Sequence, residues 1–291
     1  MTTPKLSLVV AGSKPGGPSP ELLEVLGPQL DAGLIEVVFA TSCPQPTSIP
    51  GVSICQLAEG SIIPRLRSAG LKAASAPWVA MTEDFCIPSE HWATALLQAC
   101  DTVDALAVGG PVDRGEGRAS DWALTLAEYG RFMARGHAGP VADLPEINVV
   151  FHRGRLLDAL NQLPEEMMTT TLLRRLESLE SLLWWEPAAL MIDVNQMPFG
   201  RAIRAQYHHG RLFGGERALG AGLANRSMRF LLSPLVPALS LIRLVPPCWR
   251  AERVGKLLLA LAPLLSLLFA WAAGEAIGAV AGVGDSKQRW S

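Results

Sequence analysis

Hydrophobic residues follow two patterns in the first two thirds of the chain. Leu6 to Ala11 and Ile35 to Ala40 are short apolar runs of the kind that form buried strands. Glu21 to Ala32 and Ser61 to Ala74 instead place apolar side chains at helical spacing. The same criteria predict strands over 52–57, 78–81, 105–108 and 147–151, an extended segment over 184–194, and helices over 89–100, 121–133, 153–161, 165–180 and 199–221. This alternation predicts an α/β domain with a mostly parallel sheet flanked by helices.

The composition changes sharply near Phe230, where long apolar runs begin. Two hydrophobic segments follow, 230–245 and 257–283, which divide the chain into a domain over 1–222 and a membrane-associated region over 223–291. The second segment is long enough for a C-terminal membrane helix, because a spanning helix needs about 20 largely apolar residues.

The mode of membrane attachment stays open at this stage. The first segment contains Pro234, Pro237 and Arg243, which are costly in lipid, so it spans the bilayer, lies in its interface, or re-enters. Two core helices of a soluble domain are the alternative for both segments. Lys and Arg flank both segments, so the positive-inside rule does not choose between a hairpin and a single crossing. These basic flanks suit anionic headgroups, and membrane association is our expectation.

The overall charge and the cysteines narrow the function classes. With 25 basic and 27 acidic residues, the chain gives no electrostatic indication of nucleic-acid binding. Its five cysteines are scattered without the CxxC spacing of a zinc site, which fits a reducing cytosol. The N-terminal sequence MTTPKLSLVVAG lacks the basic start and long apolar core of a signal peptide.

Two adjacent carboxylates, Glu83 and Asp84, follow the predicted strand over 78–81. The carboxyl end of a strand in an open α/β sheet is where such folds bind ligands. Carboxylate oxygens there suit Mg²⁺ or Mn²⁺, which bind through one or two carboxylates and the phosphates of a substrate. The alternative is that both residues only begin a turn before Pro88, since Asp is a common turn residue.

Several segments, taken in order, resemble a known family. They are RSAGLKAASAPWVAMTEDFCIP, GGPV, DWA, EYGRFM, DLPEINVVFHR and QYHHGR. Together they resemble family 2 glycosyltransferases of the GT-A fold, most closely a bacterial membrane-associated branch with a Thr-Glu-Asp metal motif, from about Leu6 to Arg217. The resemblance implies transfer of a sugar from a nucleotide diphosphate to an acceptor, commonly with inversion, using Mn²⁺ or Mg²⁺.

The resemblance also implies roles for the residues that match the family's motifs. Glu83 and Asp84 match the metal- and diphosphate-binding motif, and Asn148 resembles an asparagine beside the donor sugar. The remaining matches on the donor side are Arg67 and Gly70 near the nucleotide, and His209 and Arg211 in a segment that closes the site near the diphosphate.

Further matches concern catalysis and the acceptor. Glu165 or Glu166 falls where the family places its catalytic carboxylate, and would act as the general base that inverting transfer requires. Acids favoured at a helix N-terminus after Pro164 are the alternative for this pair. Glu128 lies on the acceptor side in this branch, although a helix that ends at Tyr129 and Gly130 explains the same residues.

The chain also departs from the family pattern. Ser68 replaces the asparagine that follows the family's arginine, and Phe39-Ala40-Thr41-Ser42 stands where many members have an acidic pair that contacts the nucleotide. Glu146 and Ile147 leave the glycine before Asn148 missing or displaced.

The first hypothesis is therefore a membrane-associated glycosyltransferase at the inner (cytoplasmic) membrane, with its catalytic domain in the cytosol. Its expected partners are a nucleotide diphosphate sugar donor and, because of the hydrophobic tail, a lipid-linked or other amphiphilic acceptor. A catalytically inactive GT-A-like binding partner is the second hypothesis. A nucleotidyltransferase ranks last, because Ser13 to Gly17 is a poor match to a triphosphate-binding loop.

Overall fold

The computed structural model describes residues 3–12, 15–44, 48–133, 136–160 and 182–289. Contacts divide the chain into two compact units: Met1–Asp113 with Arg135–Val194, and Arg114–Ala134 with Asn195–Ser291. The division at residue 222 that the composition suggested stays a prediction, because a grouping by contacts does not test which part of the chain folds independently.

The strands run from the N-terminus to residue 193. They are β1 (Leu6–Gly12), β2 (Ile35–Thr41), β3 (Val52–Gln56), β4 (Trp78–Glu83), β5 (Cys86–Pro88), β6 (Ala107–Gly109), β7 (Val112–Arg114), β8 (Gly139–Val141), β9 (Val149–His152), β10 (Leu183–Trp185) and β11 (Met191–Asp193). The helices of the first unit are α1 (Pro20–Asp31), α2 (Ile63–Ala73), α3 (Trp92–Thr102) and, after α4 of the second unit (Ala119–Tyr129), α5 (Arg153–Leu160).

The main sheet has eight strands among the described residues, in the order β3-β2-β1-β4-β9-β6-β10-β8. The pairs β1–β2, β1–β4, β2–β3 and β6–β10 are parallel, whereas β9 runs antiparallel to both of its neighbours. Because β2 and β3 lie on one side of β1 and β4 on the other, the order of strands reverses between β1 and β4. A crevice at the carboxyl ends of two such strands is the usual ligand-binding position in open α/β sheets.

Local sequence features position the first strands and helices. Every residue of β1 is buried, as expected for a central parallel strand with helices on both faces. The helix α1 begins after Ser19, whose Oγ accepts a hydrogen bond from the backbone N–H of Leu22 at 3.1 Å, and Pro20 occupies its first position. A smaller sheet has three strands in the order β5-β11-β7, all of which follow β4 in the sequence.

The second unit is helical beyond α4. Its longer helices are Phe199–Arg217, Leu223–Leu232, Val236–Arg250, Val254–Leu259 and Leu261–Ala281, with a short helix Ser286–Arg289 at the end. A buried cluster joins them, in which Trp122 and Leu126 of α4 pack with Leu244 and with Leu264 and Leu267 of the helix Leu261–Ala281. The two apolar stretches Leu223–Arg250 and Leu261–Ala281 are long and apolar enough to cross a membrane, by length and composition.

The helices Phe199–Arg217 and Leu261–Ala281 touch backbone to backbone. A Cβ atom at Gly210 would overlap the carbonyl of Trp271, and one at Gly274 would overlap the carbonyl of Tyr207. Gly214 and Gly278 make the same kind of approach one turn further along each helix. Small residues at a spacing of four let two helices approach this closely.

The structure confirms the expected fold class, a mixed α/β domain with a mostly parallel sheet flanked by helices and followed by apolar C-terminal helices. One boundary matters for function: β4 continues to Glu83, two residues beyond its predicted end, so Glu83 belongs to the strand and Asp84 follows it. The short strands β5, β7 and β8 were not predicted. The helix predicted over 165–180 lies outside the described residues.

Candidate functional site

The carboxyl ends of β1 and β4 bring Gly12 and Asp84 together. The backbone N–H of Asp84 donates to the carbonyl of Ala11 at 3.2 Å, which fixes the first residue after β4 against the end of β1. A Cβ atom at Gly12 would overlap the ring of Phe39 and lie 3.4 Å from Oδ2 of Asp84. The Asp84 side chain is mostly buried, with 8% of the residue exposed. A carboxylate therefore lies at the point where the strand order reverses.

Arg67 joins two carboxylates next to this point. Its Nη2 lies 2.6 Å from Oε1 of Glu83, and its Nη1 lies 3.0 Å from Oε2 of Glu146. Arg67 comes from α2, which packs on the sheet, and only 3% of the residue is exposed. The structure thus brings the predicted residues Arg67 and Glu83 into one buried ion-pair network.

The surroundings of Glu83 disfavour its ionised form. Burial raises the pKa of Glu83 to about 7; Arg67 opposes this shift, and the carboxylates of Glu146, Asp84 and Asp193 add to it. A cation at this edge of the sheet would be favourable, because it would reduce the repulsion among these carboxylates.

Two members of this group were not predicted from the sequence as site residues, Asp193 and Glu146. Asp193 is fully buried at the end of β11, where it pairs with Cys86 of β5 in the smaller sheet. A sequence signal existed for Asp193, since it is the polar end of the extended segment over 184–194. Glu146 comes from the loop before β9, and nothing local in the sequence indicates its contact with Arg67, which is 79 positions away.

Asn148, predicted beside the donor sugar, is fully buried and engaged at both ends of its amide. Its Oδ1 accepts from the indole N–H of Trp92 at 2.7 Å, and its Nδ2 donates to the carbonyls of Pro111 at 2.9 Å and Ala189 at 2.8 Å. These contacts join α3 to the loops before β7 and β11. Within the described residues Asn148 therefore holds α3 and these two loops together, and its contact with a sugar stays a prediction.

Gly70, predicted near the nucleotide, lies where α2 meets the sheet. A Cβ atom at this position would overlap Cγ1 of Val9 and lie 3.4 Å from the Cβ of Ala40. The glycine lets α2 approach β1 closely, and this approach in turn holds Arg67, one turn earlier on the helix, over the end of the strands.

A divalent cation fits the residues at the end of β4. Asp84 offers hard carboxylate oxygens next to a group of carboxylates that raise the pKa of Glu83. No group of three or more His, Cys, Asp or Glu side chains in the described parts of the chain is arranged to hold a metal ion by itself. A cation bound here would therefore need water and phosphate oxygens as further ligands, which is the usual way in which Mg²⁺ binds with nucleotides.

The other predicted residues of the described chain belong to the second unit. Glu128 of α4 accepts a hydrogen bond from Nε2 of Gln206 at 2.9 Å. The ring of His209 packs edge-on against Trp271, with 4.6 Å between ring centroids. Arg211 donates from Nε to the carbonyl of Gly282 at 3.2 Å, and its Nη1 lies 3.9 Å from Asp285. Each of them thus has an internal partner, and their roles toward a donor or an acceptor stay predictions.

Glu165 and Glu166, the predicted catalytic carboxylates, lie outside the described residues.

Comparison with known proteins rests on structure alone. No protein-family model matches the sequence, and no curated protein matches it. A crystal structure of GalNAc-T7 with UDP, GalNAc and Mn²⁺ matches at a TM-score of 0.50 and 11% identity, over 66% of this chain and 43% of that one. The fold is GT-A-like.

Two structures of S. aureus TarS also match this GT-A-like chain. One has a TM-score of 0.49 and 14% identity, over 80% of this chain and 43% of that one. The other, TarS 1-349, has a TM-score of 0.48 and 13% identity, over 94% of this chain and 90% of that one. The chain thus spans less than half the length of the first TarS structure and of GalNAc-T7.

Proposed function

We propose that this protein is a membrane-associated glycosyltransferase that moves a sugar from a nucleotide diphosphate sugar to an acceptor. The observation that carries the proposal is the position of Asp84. It lies at the carboxyl ends of β1 and β4, where the strand order reverses, beside the network of Arg67, Glu83 and Glu146. The GT-A-like fold and the sequence resemblance support the same assignment.

The proposed donor site holds the diphosphate through a divalent cation, Mn²⁺ or Mg²⁺. Asp84 is the proposed direct ligand, because Glu83 already directs Oε1 to Arg67. The cation supplies positive charge for the departing diphosphate. Arg67 keeps the neighbouring carboxylates in place, so that they add to the negative potential that attracts the cation.

The proposed reaction is an inverting displacement at the anomeric carbon. The acceptor hydroxyl attacks, its proton passes to a carboxylate base for which Glu166 or Glu165 is the proposed residue, and the nucleotide diphosphate leaves. Asn148 and Gly70 act as positioning residues. Asn148 holds the side chain of Trp92 in place, and Gly70 lets α2 bring Arg67 close to the strands. Arg211 and His209 are proposed to close the donor site, and Glu128 to contact the acceptor.

The proposed location is the inner face of a cytoplasmic membrane. The two long apolar stretches support attachment to a bilayer, and nucleotide sugars are available in the cytosol. An acceptor with a lipid anchor fits an enzyme held there, because both reactants then share one surface.

The direct test is a panel of nucleotide diphosphate sugars offered to the purified full chain in detergent, with Mn²⁺, with Mg²⁺ and with chelator. We expect binding or slow hydrolysis of one donor that depends on the cation and is lost in Asp84→Asn. The matched control is Asp31→Asn, which removes the same charge from an exposed position at the end of α1 and should behave like the parent protein.

A second candidate is a GT-A-like protein without catalytic activity that binds a partner at the membrane. Two observations favour it. The stretch Phe39-Ala40-Thr41-Ser42 lacks the acidic pair that contacts the nucleotide in many family members, and Glu83 forms an ion pair with Arg67. Folded protein that binds no donor with either cation would contradict the transferase proposal and support this one.

A further inference from the structure

The C-terminal helices of the second unit show an unusual amount of apolar surface. Along the stretch Leu223–Arg250 the exposed residues include Leu231, Leu235, Leu239, Ile242, Val245 and Trp249. Their spacing of three or four positions places them on one side of the helical stretch. Leu231 and Trp249 are each 72% exposed, so this stripe, which we call the Leu231–Trp249 stripe, has no internal cover among the described residues.

The opposite side of the same stretch is already used. Leu244 and Cys248 are buried in the cluster that includes Trp122 of α4 and Leu264 and Leu267 of the helix Leu261–Ala281. A helix that crosses a bilayer by itself is surrounded by lipid on all sides. The stretch Leu223–Arg250 instead packs one side on protein, and its other side is available to contact lipid.

The charged residues of the stretch Leu223–Arg250 argue against its crossing the membrane. The longest segment without a charged residue is 230–242, which has 13 residues and is about 20 Å long as a helix. The hydrocarbon core of a bilayer is about 30 Å thick. An apolar segment of this length is typical of an interfacial or buried helix, and Arg243 lies at the edge of the Leu231–Trp249 stripe.

The partner of the helix Leu261–Ala281 argues against a crossing there as well. Its glycines Gly274 and Gly278 contact the backbone of the helix Phe199–Arg217 directly. That partner helix carries four arginines, Arg201, Arg204, Arg211 and Arg217, and one acidic residue, Glu216. Moving Leu261–Ala281 into hydrocarbon would draw these charges toward the lipid, which is costly.

The charged side chains between residues 223 and 274 are mostly basic. They include six basic side chains, Arg226, Arg229, Arg243, Arg250, Arg253 and Lys256, and one acidic side chain, Glu252. Basic residues beside an exposed apolar stripe that ends in a tryptophan are typical of a helix that lies in the headgroup region of an anionic bilayer.

We infer that the second unit attaches to one face of an anionic lipid bilayer, with the Leu231–Trp249 stripe in the interface and neither apolar helix crossing the membrane. This inference rests on the proposed membrane location and specifies its mode. Attachment requires neither the donor nor the cation, so it is tested with chelator present and does not depend on transferase activity.

The first experiment measures flotation of the full chain with vesicles of phosphatidylcholine alone or with phosphatidylglycerol added. We expect binding that is stronger on the anionic vesicles, and a loss of at least about tenfold in Ile242→Glu/Trp249→Glu, because two apolar side chains leave the interface. The matched control, Thr94→Glu/Gln98→Glu, adds two carboxylates to an exposed side of α3 and should float like the parent chain. Equal binding of the double variant, or a stable dimer of the parent chain that covers the stripe without lipid, would overturn the inference.

The second experiment determines the number of crossings. Gly255→Cys and Gln288→Cys add exposed thiols after the first and the second apolar stretch, and the partly exposed native Cys43 marks the side of the first unit. Labelling of sealed membrane vesicles of both orientations with an impermeant maleimide, read out by peptide mass, should modify all three from the same side. Modification of either introduced cysteine from the opposite side would show a crossing and contradict the inference.

Discussion

The two units depart from the usual distribution of side chains in opposite ways. In the first unit, charged side chains are buried at the ends of β1 and β4, where Arg67 lies between Glu83 and Glu146. In the second unit, large apolar side chains such as Leu231 and Trp249 are exposed. Buried charges and exposed apolar surface are both unfavourable in isolation, and each is informative about an expected partner. We propose a cation with a diphosphate as the partner of the buried charges, and lipid as the partner of the exposed apolar surface.

The largest effect should come from the carboxylate at the strand ends. Asp84→Asn should lower cation-dependent turnover of the donor at least about 100-fold, because the diphosphate loses the charge stabilisation that a bound cation provides. Glu83→Gln should have a smaller effect, since Oε1 of Glu83 is held by Arg67. Steady-state rates at saturating Mn²⁺ measure both. Equal losses in the two variants would show that both carboxylates bind the cation directly.

Removal of the buried guanidinium should mainly affect stability. Arg67→Met leaves Glu83 and Glu146 without this partner, and should lower the free energy of unfolding by about 3 kcal/mol. Arg65→Met, at an exposed position of the same helix, is the control and should change it little. Chemical unfolding followed by tryptophan fluorescence in detergent gives both values. A loss below that of the control would mean that the network does not stabilise the first unit.

The helix contact in the second unit should be sensitive to a single methyl group. Gly274→Ala places a Cβ against the carbonyl of Tyr207, so the helices must separate, at a cost of about 2 kcal/mol. Gly200→Ala adds the same methyl group where nothing lies within 4 Å, and should leave stability unchanged or slightly raise it. Thermal unfolding of the two variants, compared with the parent chain, distinguishes these outcomes. Similar melting temperatures would contradict the close approach of the two helices.

A further effect should come from pH, and it acts through one carboxyl group. The pKa of Glu83 is about 7 in the folded chain, above 4.5 for a free glutamate. The folded state therefore keeps this proton up to a higher pH than the unfolded state does. The contribution of Glu83 to stability is complete below about pH 4.5 and is lost as the pH rises through 7. Unfolding measured in chelator from pH 5 to 8 should therefore show a decline that is weaker in Glu83→Gln. An identical decline in the variant would assign it to other groups.

Much of the fold could be predicted from the sequence, because long apolar runs and helical spacing are local signals. The strands β1, β2 and β4 and the helices α1 and α2 lie close to their predicted positions. The strands β5, β7 and β8 have no long apolar run of their own, and they depend on pairing with distant segments.

The candidate site could be predicted only in part, for the same reason. Glu83 and Asp84 adjoin a strong strand signal, so their position at the sheet edge followed from local sequence. The contacts of Arg67 with Glu146 and of Asn148 with Trp92 join residues 79 and 56 positions apart, and no local pattern encodes them. Tertiary packing decides which polar side chains meet, whereas sequence periodicity decides only which elements form.

The glycine contact between the helices Phe199–Arg217 and Leu261–Ala281 has a consequence for biosynthesis. The ribosome completes the first helix 64 residues before it completes the second, which is roughly 3–13 s at typical elongation rates. During that interval the nascent chain exposes Gly210 and Gly214 without the backbone that later covers them. A chain shortened at residue 222 would lack the helix Leu261–Ala281 and would leave these two glycines uncovered. We therefore expect aggregation of that fragment during expression, and intact chains to give the better yield of folded protein.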